Sequence, residues 1–256
     1  MTSGPPLRVL ITAGAGGIGR VVAREFLTRG ERVHLCDVDA GALESVAKEA
    51  HNALVSRCDV ADEAQVDALF AKQIEQFGGL DVLVNCAGIA GPTAPIEEIT
   101  LADWRQCLGV NLDGTLLCSQ RAIPIMKQAG AGLIVNFSST AGLIGYPNRS
   151  PYATAKWGII GFTKTLAMEL GPFGIRANAI CPGPVEGERI DRVIAAQAET
   201  TGRTEAEIRD EYAAGTSLRR FVTPEDIAGT VLFLASPAGA SISGQALAVD
   251  GHAERI

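Results

Sequence analysis

Tyr152 and Lys156 stand four residues apart in SPYATAKWGIIGFT, and Ser139 lies thirteen positions before the tyrosine in GLIVNFSSTAG. On a helix, residues i and i+4 share a face, so this spacing sets an ammonium beside a phenol. An unperturbed tyrosine titrates near about 10. A fixed neighbouring cation brings its phenolate within reach of neutral pH, where it can take the proton of an alcohol. The same spacing also describes a solvated helix face, so the rest of the chain decides between the two.

The elements that must hold these residues recur in a regular order. Short β-rich runs occur at LRVLIT, ERVHLCD, ALVSRCD, LDVLVNCAG, GLIVNFSS, IRANAICPG and QALAVDG. Helix-length stretches lie between them, at 17–29, 62–77, 101–129, 151–171 and 223–235, many with apolar residues at i, i+3 and i+4. The last carries its own start signal: Thr223 as N-cap, Pro224 in the first turn and Asp226 three residues on. Strands apolar on both faces, alternating with helices, predict an α/β fold with a doubly wound parallel sheet of seven strands. With no linker, repeat or low-complexity tract, residues 1–256 are expected to form one domain. The 101–129 stretch carries Pro124, and the 151–171 stretch is apolar around most of its circumference. Both are expected to pack on a partner subunit as well as on the sheet, which predicts a homo-oligomer, a dimer or a homotetramer.

Directly after the first strand comes GAGGIG, in which Gly14, Gly16 and Gly19 have GxGxxG spacing, with Gly17 and Ile18 between them. Such glycines allow a tight turn and let backbone amides approach a pyrophosphate at a helix N-terminus. Asp37 ends the second strand, eighteen positions beyond Gly19, close to where a carboxylate meets an adenosine ribose. A 2'-phosphate there would face like charge. No basic residue lies between Thr12 and Gly19, and Val38 follows the aspartate. The predicted cofactor is therefore NAD rather than NADP.

Bulk properties exclude several other classes. Across 256 residues, 22 basic and 29 acidic side chains give a net charge of −7 with no basic run, so no nucleic-acid partner is expected. The start, MTSGPPLRVLIT, lacks the pattern of a secretory signal, and no apolar run reaches membrane-spanning length. The six cysteines are scattered without a CxxC and read as small buried hydrophobes of a reducing cytosol, which predicts a cytoplasmic protein. His34, His51 and His252 are isolated, so no metal site is expected.

Taken in order, TAGAGGIG at 12–19, DV at 59–60, NCAG at 85–88, Asn111 in VNLDG, Ser139, the Tyr152–Lys156 pair and CPGPVEG at 181–187 make the chain resemble the short-chain dehydrogenase/reductase superfamily over essentially its whole length. That resemblance implies a single Rossmann-type domain. It implies Tyr152 as acid/base, Lys156 supporting it and holding the nicotinamide ribose, Ser139 on the reacting oxygen, and Asn111 anchoring a proton-relay water. It also implies Asp59 and Val60 around the adenine, Asn85, Ala87 and Gly88 along the cofactor, and Pro182, Gly183 and Val185 near the nicotinamide. Three positions depart from the family pattern. Ala13 replaces a glycine and is read as a small change at ordinary backbone angles. Cys86 stands where a second asparagine is common. Gly187 takes the place of a threonine, so a backbone amide or Ser217 must supply that contact to the nicotinamide.

In the family, substrate is read by the segments here written IAGPTAP, TAGLIGYPNRS and the long polar stretch at about 186–220, which is helical in pattern and is expected to be a substrate-covering lid. Arg149, Arg189 and Arg192 lie in or beside them and suit a carboxylate, phosphate or sulfonate, unless Glu186, Glu188 and Asp191 pair with them. The expected activity is interconversion of a secondary alcohol and a ketone on a small molecule, neutral or anionic. The alternatives are an NADPH-dependent 3-oxoacyl-thioester reductase, against which Asp37 argues, and an NAD-binding sensor or scaffold without turnover.

Overall fold

The computed structural model describes residues 4–253, without the side chains at 189, 196 and 200. Seven parallel strands form one sheet in the order β3-β2-β1-β4-β5-β6-β7. They are β1 (Arg8–Thr12), β2 (Arg32–Asp37), β3 (Leu54–Arg57), β4 (Val82–Asn85), β5 (Gly132–Phe137), β6 (Ile175–Pro182) and β7 (Ala246–Val249). Val9, Leu10 and Ile11 of β1 are all sealed from solvent because both faces of the sheet are covered. The helices are α1 (Gly17–Thr28), α2 (Ala40–Glu49), α3 (Glu63–Phe77), α4 (Leu101–Leu108), α5 (Gly114–Ala129), α6 (Ser150–Leu170), α7 (Glu188–Thr201), α8 (Glu205–Ala214) and α9 (Pro224–Ala235).

One face of the sheet packs on α1, α2 and α9 through Val22, Phe26, Val46, Ile227 and Val231. The other packs on α3, α5 and α6 through Leu69, Phe70, Met126, Leu166 and Leu170. Strand order reverses between β1 and β4. In open α/β sheets that reversal leaves a crevice at the carboxyl ends of the strands where ligands bind. The start signal of α9 takes the expected form: the Thr223 hydroxyl accepts from the Asp226 N–H, and the Asp226 carboxylate accepts from the Thr223 N–H.

The stretch expected as one helix over 101–129 is divided. A wide π-turn at Gly109–Asp113 joins α4 to α5 and carries Asn111. The amide of Asn111 replaces the ladder bond the wide turn loses, donating from Nδ2 to the Cys107 carbonyl 2.8 Å away and to that of Ile89 at 3.0 Å. Such bulges occur often at functional sites. The polar stretch at 186–220 contains α7 and α8, and no helix among the described residues is long and apolar enough to cross a membrane.

Candidate active site

The glycine turn after β1 is tighter than spacing alone conveys. A Cβ on Gly19 would run into the Ala13 carbonyl oxygen, and one on Gly14 would lie 2.6 Å from Leu35 Cβ. Gly16 caps α1, and side chains at Gly16 or Gly17 would meet open space, so this face of the turn is clear for a ligand. Ala13 has φ of 50°. The exchange of glycine for alanine is therefore not a neutral one, because an L-residue in the left-handed region carries strain. Both oxygens of Asp37 are held by backbone: Oδ2 accepts from Ala15 N–H and Oδ1 from Asp39 N–H, each at 3.2 Å. Arg57 is the register partner of Asp37 across β2–β3. The neighbourhood thus contains a basic residue that position along the chain did not bring to notice.

Thr12, which sequence reasoning passed over, ties the first strand to the fourth. Its buried hydroxyl accepts from Cys86 N–H and Ala87 N–H, both at 3.0 Å. Asn85 donates from Nδ2 to Asn136 Oδ1 at 2.9 Å and to Ser119 Oγ at 3.2 Å, leaving its buried Oδ1 without a hydrogen-bond partner among the described residues. Asp59 accepts from Ala61 N–H, while Val60 is buried against Gly114. Gly183 donates to the Val249 carbonyl, and a Cβ there would lie 2.7 Å from Asp250 Cβ, so Pro182 and Gly183 pass closely over the end of β7. Val185 bridges to Val222.

Lys156 is buried, and its Nζ donates to the Phe137 carbonyl at 2.9 Å. The ammonium lies 5.5 Å from the centre of the Tyr152 ring. Ser138 and Gly142, neither singled out from sequence, lock this geometry. Ser138 Oγ donates to the Lys156 carbonyl at 2.7 Å, and a Cβ at Gly142 would sit 2.7 Å from that same oxygen. Ser139 Oγ accepts from Ala141 N–H at 3.2 Å, which leaves its own proton to donate. Burial pushes the neighbouring Cys181 thiol up to about 11, against opposing effects of Ser138, the Ser139 N–H and Lys156.

Asn111 meets this group from the π-turn. Its Nδ2 donates to two carbonyls and, at 3.5 Å, to Cys107 Sγ, which fixes the amide orientation and leaves buried Oδ1 without a partner among the described residues. A Cβ at Gly88 would be 2.5 Å from that oxygen and 3.3 Å from Lys156 Nζ. Gly88, Asn111 and Lys156 therefore converge on one spot.

The arginines separate. The guanidinium of Arg149 lies 5.1 Å from the Tyr152 ring centre, and its Nη2 donates to the Ala90 carbonyl at 2.9 Å. Arg192 is exposed and its Nε turns back to the Glu188 carbonyl in its own helix, so the contacts described for it do not bring it to this group. The side chain of Arg189 lies outside the described residues. Asp191, considered as a partner for these arginines, pairs with Arg209 instead. Gly187 caps α7 with φ of 131°, a conformation that a threonine would adopt only under strain. Ser217, the suggested substitute for that threonine, is bonded to His252 Nδ1 at 2.5 Å.

A glycine turn at the head of a doubly wound parallel sheet, with polar groups gathered where the strand order reverses, defines a Rossmann-type nucleotide-binding protein. The family described as enoyl-(acyl carrier protein) reductase matches residues 13–252. Cis-4-hydroxycyclohexanecarboxylate dehydrogenase of Sinomonas cyclohexanicum is 39% identical, with 94% of each chain covered. 2-(R)-hydroxypropyl-CoM dehydrogenase of Xanthobacter autotrophicus is 36% identical, covering 94% of this chain and 96% of the other. Among solved structures, a variant of actinorhodin polyketide ketoreductase with NADPH superposes with a TM-score of 0.93 at 33% identity, with 98% of each chain covered. The chain belongs to the short-chain dehydrogenase/reductase family and is an oxidoreductase of that family.

Proposed function

We propose that the chain is an NAD-dependent oxidoreductase that interconverts a secondary alcohol and a ketone on a small molecule bearing an anionic group. The observation that carries this reading is the convergence of Lys156 Nζ, the unpartnered Oδ1 of Asn111 and the backbone of Gly88, with Tyr152 one turn before the lysine.

The residues present fit a dinucleotide. The open side of Gly16 and Gly17 with Ile18, the tight turn at Gly14 and Gly19, Asp37, Asp59 and Val60, the Asn85–Gly88 segment and Pro182–Val185 would hold it, and the buried Oδ1 atoms of Asn85 and Asn111 are acceptors in want of donors. When bound, its nicotinamide ring supplies the hydride acceptor or donor. The protein's own part is proton handling and orientation. Tyr152 takes or returns the hydroxyl proton, with the Lys156 ammonium, pinned by Phe137, favouring its ionised form. Ser139 directs its proton at the reacting oxygen. Asn111, locked by two carbonyls, offers Oδ1 to a relay water.

Arg149 supports the anionic group. It is half-buried beside Tyr152, and none of the described ion pairs includes it. The relative named for a hydroxycyclohexanecarboxylate acts on an alcohol that carries such a group. The lid reading of 186–220, within one domain spanning the chain, is supported by a cavity of about 260 Å³ between α7 and α8, lined by Gln197, Ile208 and Tyr212 and reaching Pro184. Leu116, Trp157, Met168 and Phe173 are exposed on and just after α5 and α6, which favours a dimer or tetramer, testable by sedimentation over a range of concentrations. A cytoplasmic location is consistent with six free thiols.

A second reading, reduction of a 3-oxoacyl thioester with NADPH, is favoured by Arg57 beside Asp37 and by the NADPH-bound structural relative. Turnover of Tyr152→Phe and Lys156→Ala, together with kcat/KM for both cofactors, tests the proposal. The expected result is a loss in kcat on the order of a hundredfold or more in each variant, with preference for NAD. Near-normal turnover in the variants would overturn the catalytic assignment, and a clear NADPH preference would overturn the cofactor.

A further inference from the structure

Of the chain's three tyrosines, two, Tyr146 and Tyr152, have their rings against one arginine, Arg149. The guanidinium carbon of Arg149 is 5.1 Å from the centre of the Tyr152 ring and 5.7 Å from that of Tyr146. The charge of Arg149 is also felt at the hydroxyl of Tyr212 on α8. The arginine is anchored at one end by the Ala90 carbonyl, and its Nε is sealed from solvent without a hydrogen-bond partner among the described residues.

A guanidinium stays charged at every accessible pH, and half-buried with no carboxylate paired to it among the described residues it finds negative density elsewhere. Here it finds the ring faces of two phenols. Lys156 approaches the same Tyr152 ring at 5.5 Å, held by the Phe137 carbonyl. Tyr152 therefore faces two cations whose positions are fixed by separate backbone carbonyls.

We infer that Arg149 is a positioning residue for Tyr152: with Lys156 it forms a two-cation clamp that orients the ring and favours its phenolate. The inference rests on Tyr152 acting as acid/base in the proposed reaction. It differs from the grip on an anionic substrate because it operates on neutral substrates and on the enzyme alone. The other ionisable groups around the clamp leave its charge in place. Tyr146 and Tyr212 are phenols, and Glu211, adjacent to Tyr212, is paired with Arg203. Burial, helped by the charge of Asp250, keeps Cys181 protonated against the opposing influence of Lys156.

Phenolate absorbance of the full-length protein, titrated in the ultraviolet at constant ionic strength, reads this directly. Each of wild type, Arg149→Met, Arg149→Gln and Arg149→Lys is measured against the same protein carrying Tyr152→Phe, which isolates Tyr152 from the other two tyrosines. An opposite charge within about 4 to 6 Å of an acidic group lowers its midpoint by about 1 to 3 units, and by less beyond that. Both neutral variants are expected to raise the Tyr152 midpoint by about one unit or more, and the lysine variant to stay within about half a unit of wild type. The basic-side pH profile of kcat/KM with a neutral secondary alcohol should move the same way. A midpoint unchanged in the neutral variants, or raised equally by lysine, overturns the clamp. Wild-type turnover in Tyr152→Phe would instead remove the acid/base assignment, and the absorbance titration would still report on Arg149 separately.

Discussion

Acidification should unfold this protein partly through one histidine far from the active site. His34 of β2 is fully buried, with Nδ1 3.0 Å from Gln73 Oε1 and Nε2 2.9 Å from Ser56 Oγ. Gln73 donates from Nε2 to the Gly79 carbonyl, so its oxygen faces the ring and Nδ1 must carry the proton. The neutral ring then accepts from Ser56 and is satisfied at both nitrogens. A second proton has no such place. Burial, reinforced by nearby Lys72 and opposed by the bond to Gln73, lowers the pKa from 6.5 to about 4. The folded value lies below the unfolded one, so the unfolded chain takes its proton first. The contribution of His34 is complete above about pH 6.5, is lost as pH falls towards 4, and loses nothing more below that. At about 1.4 kcal/mol per unit the gap amounts to roughly 3 kcal/mol, a large share of the 5–15 kcal/mol typical of a folded protein. Urea unfolding at fixed protein concentration between pH 8 and 4, in wild type and His34→Gln, measures it. The wild type should be the more stable at pH 8 and should lose about 2 to 3 kcal/mol more than the variant on the way down. Parallel pH dependence in the two proteins would refute the buried neutral ring.

Two substitutions test the cofactor turn and the point of convergence. Ala13→Gly trades relief of left-handed strain against a more flexible unfolded chain and should leave stability within about 1 kcal/mol of wild type, whereas Ala13→Val, β-branched at φ of 50°, should cost more than about 2 kcal/mol by chemical unfolding. Equal, small effects of both would mean that residue 13 has ordinary angles. Gly88→Ala places a methyl 2.5 Å from Asn111 Oδ1 and 3.3 Å from Lys156 Nζ, and should lower kcat/KM by about ten- to a hundredfold while the fold survives. Unchanged kinetics would show that the three groups do not share one working site.

What could be read from the sequence divides along a physical line. The sheet was legible because strands covered on both faces must be apolar at successive positions, as at Val9, Leu10 and Ile11, and because each is followed by a helix that returns the chain. The start of α9 was legible because a capping box is local, spanning Thr223 to Asp226. Features set by backbone conformation were not. Nothing in GVNLD interrupts helical periodicity, so the π-turn that presents Asn111 reads as plain helix. Alanine seldom takes positive φ, so Ala13 reads as harmless.

Features set by distant partners were equally hidden, and the two cations at Tyr152 show why. Spacing along one helix brings out Lys156, but the carbonyl that aims it belongs to Phe137 on β5, and the carbonyl that aims Arg149 belongs to Ala90 after β4. The two strands are neighbours, and both carbonyls lie at or beyond their carboxyl ends, next to the point where the order of the sheet reverses. Positions that require only a residue type can be found by pattern, whereas those that require an orientation depend on where the sheet delivers a backbone oxygen. The chemistry of this site is of the second kind: moving either carbonyl would leave every motif residue in the sequence and change the charge that Tyr152 feels.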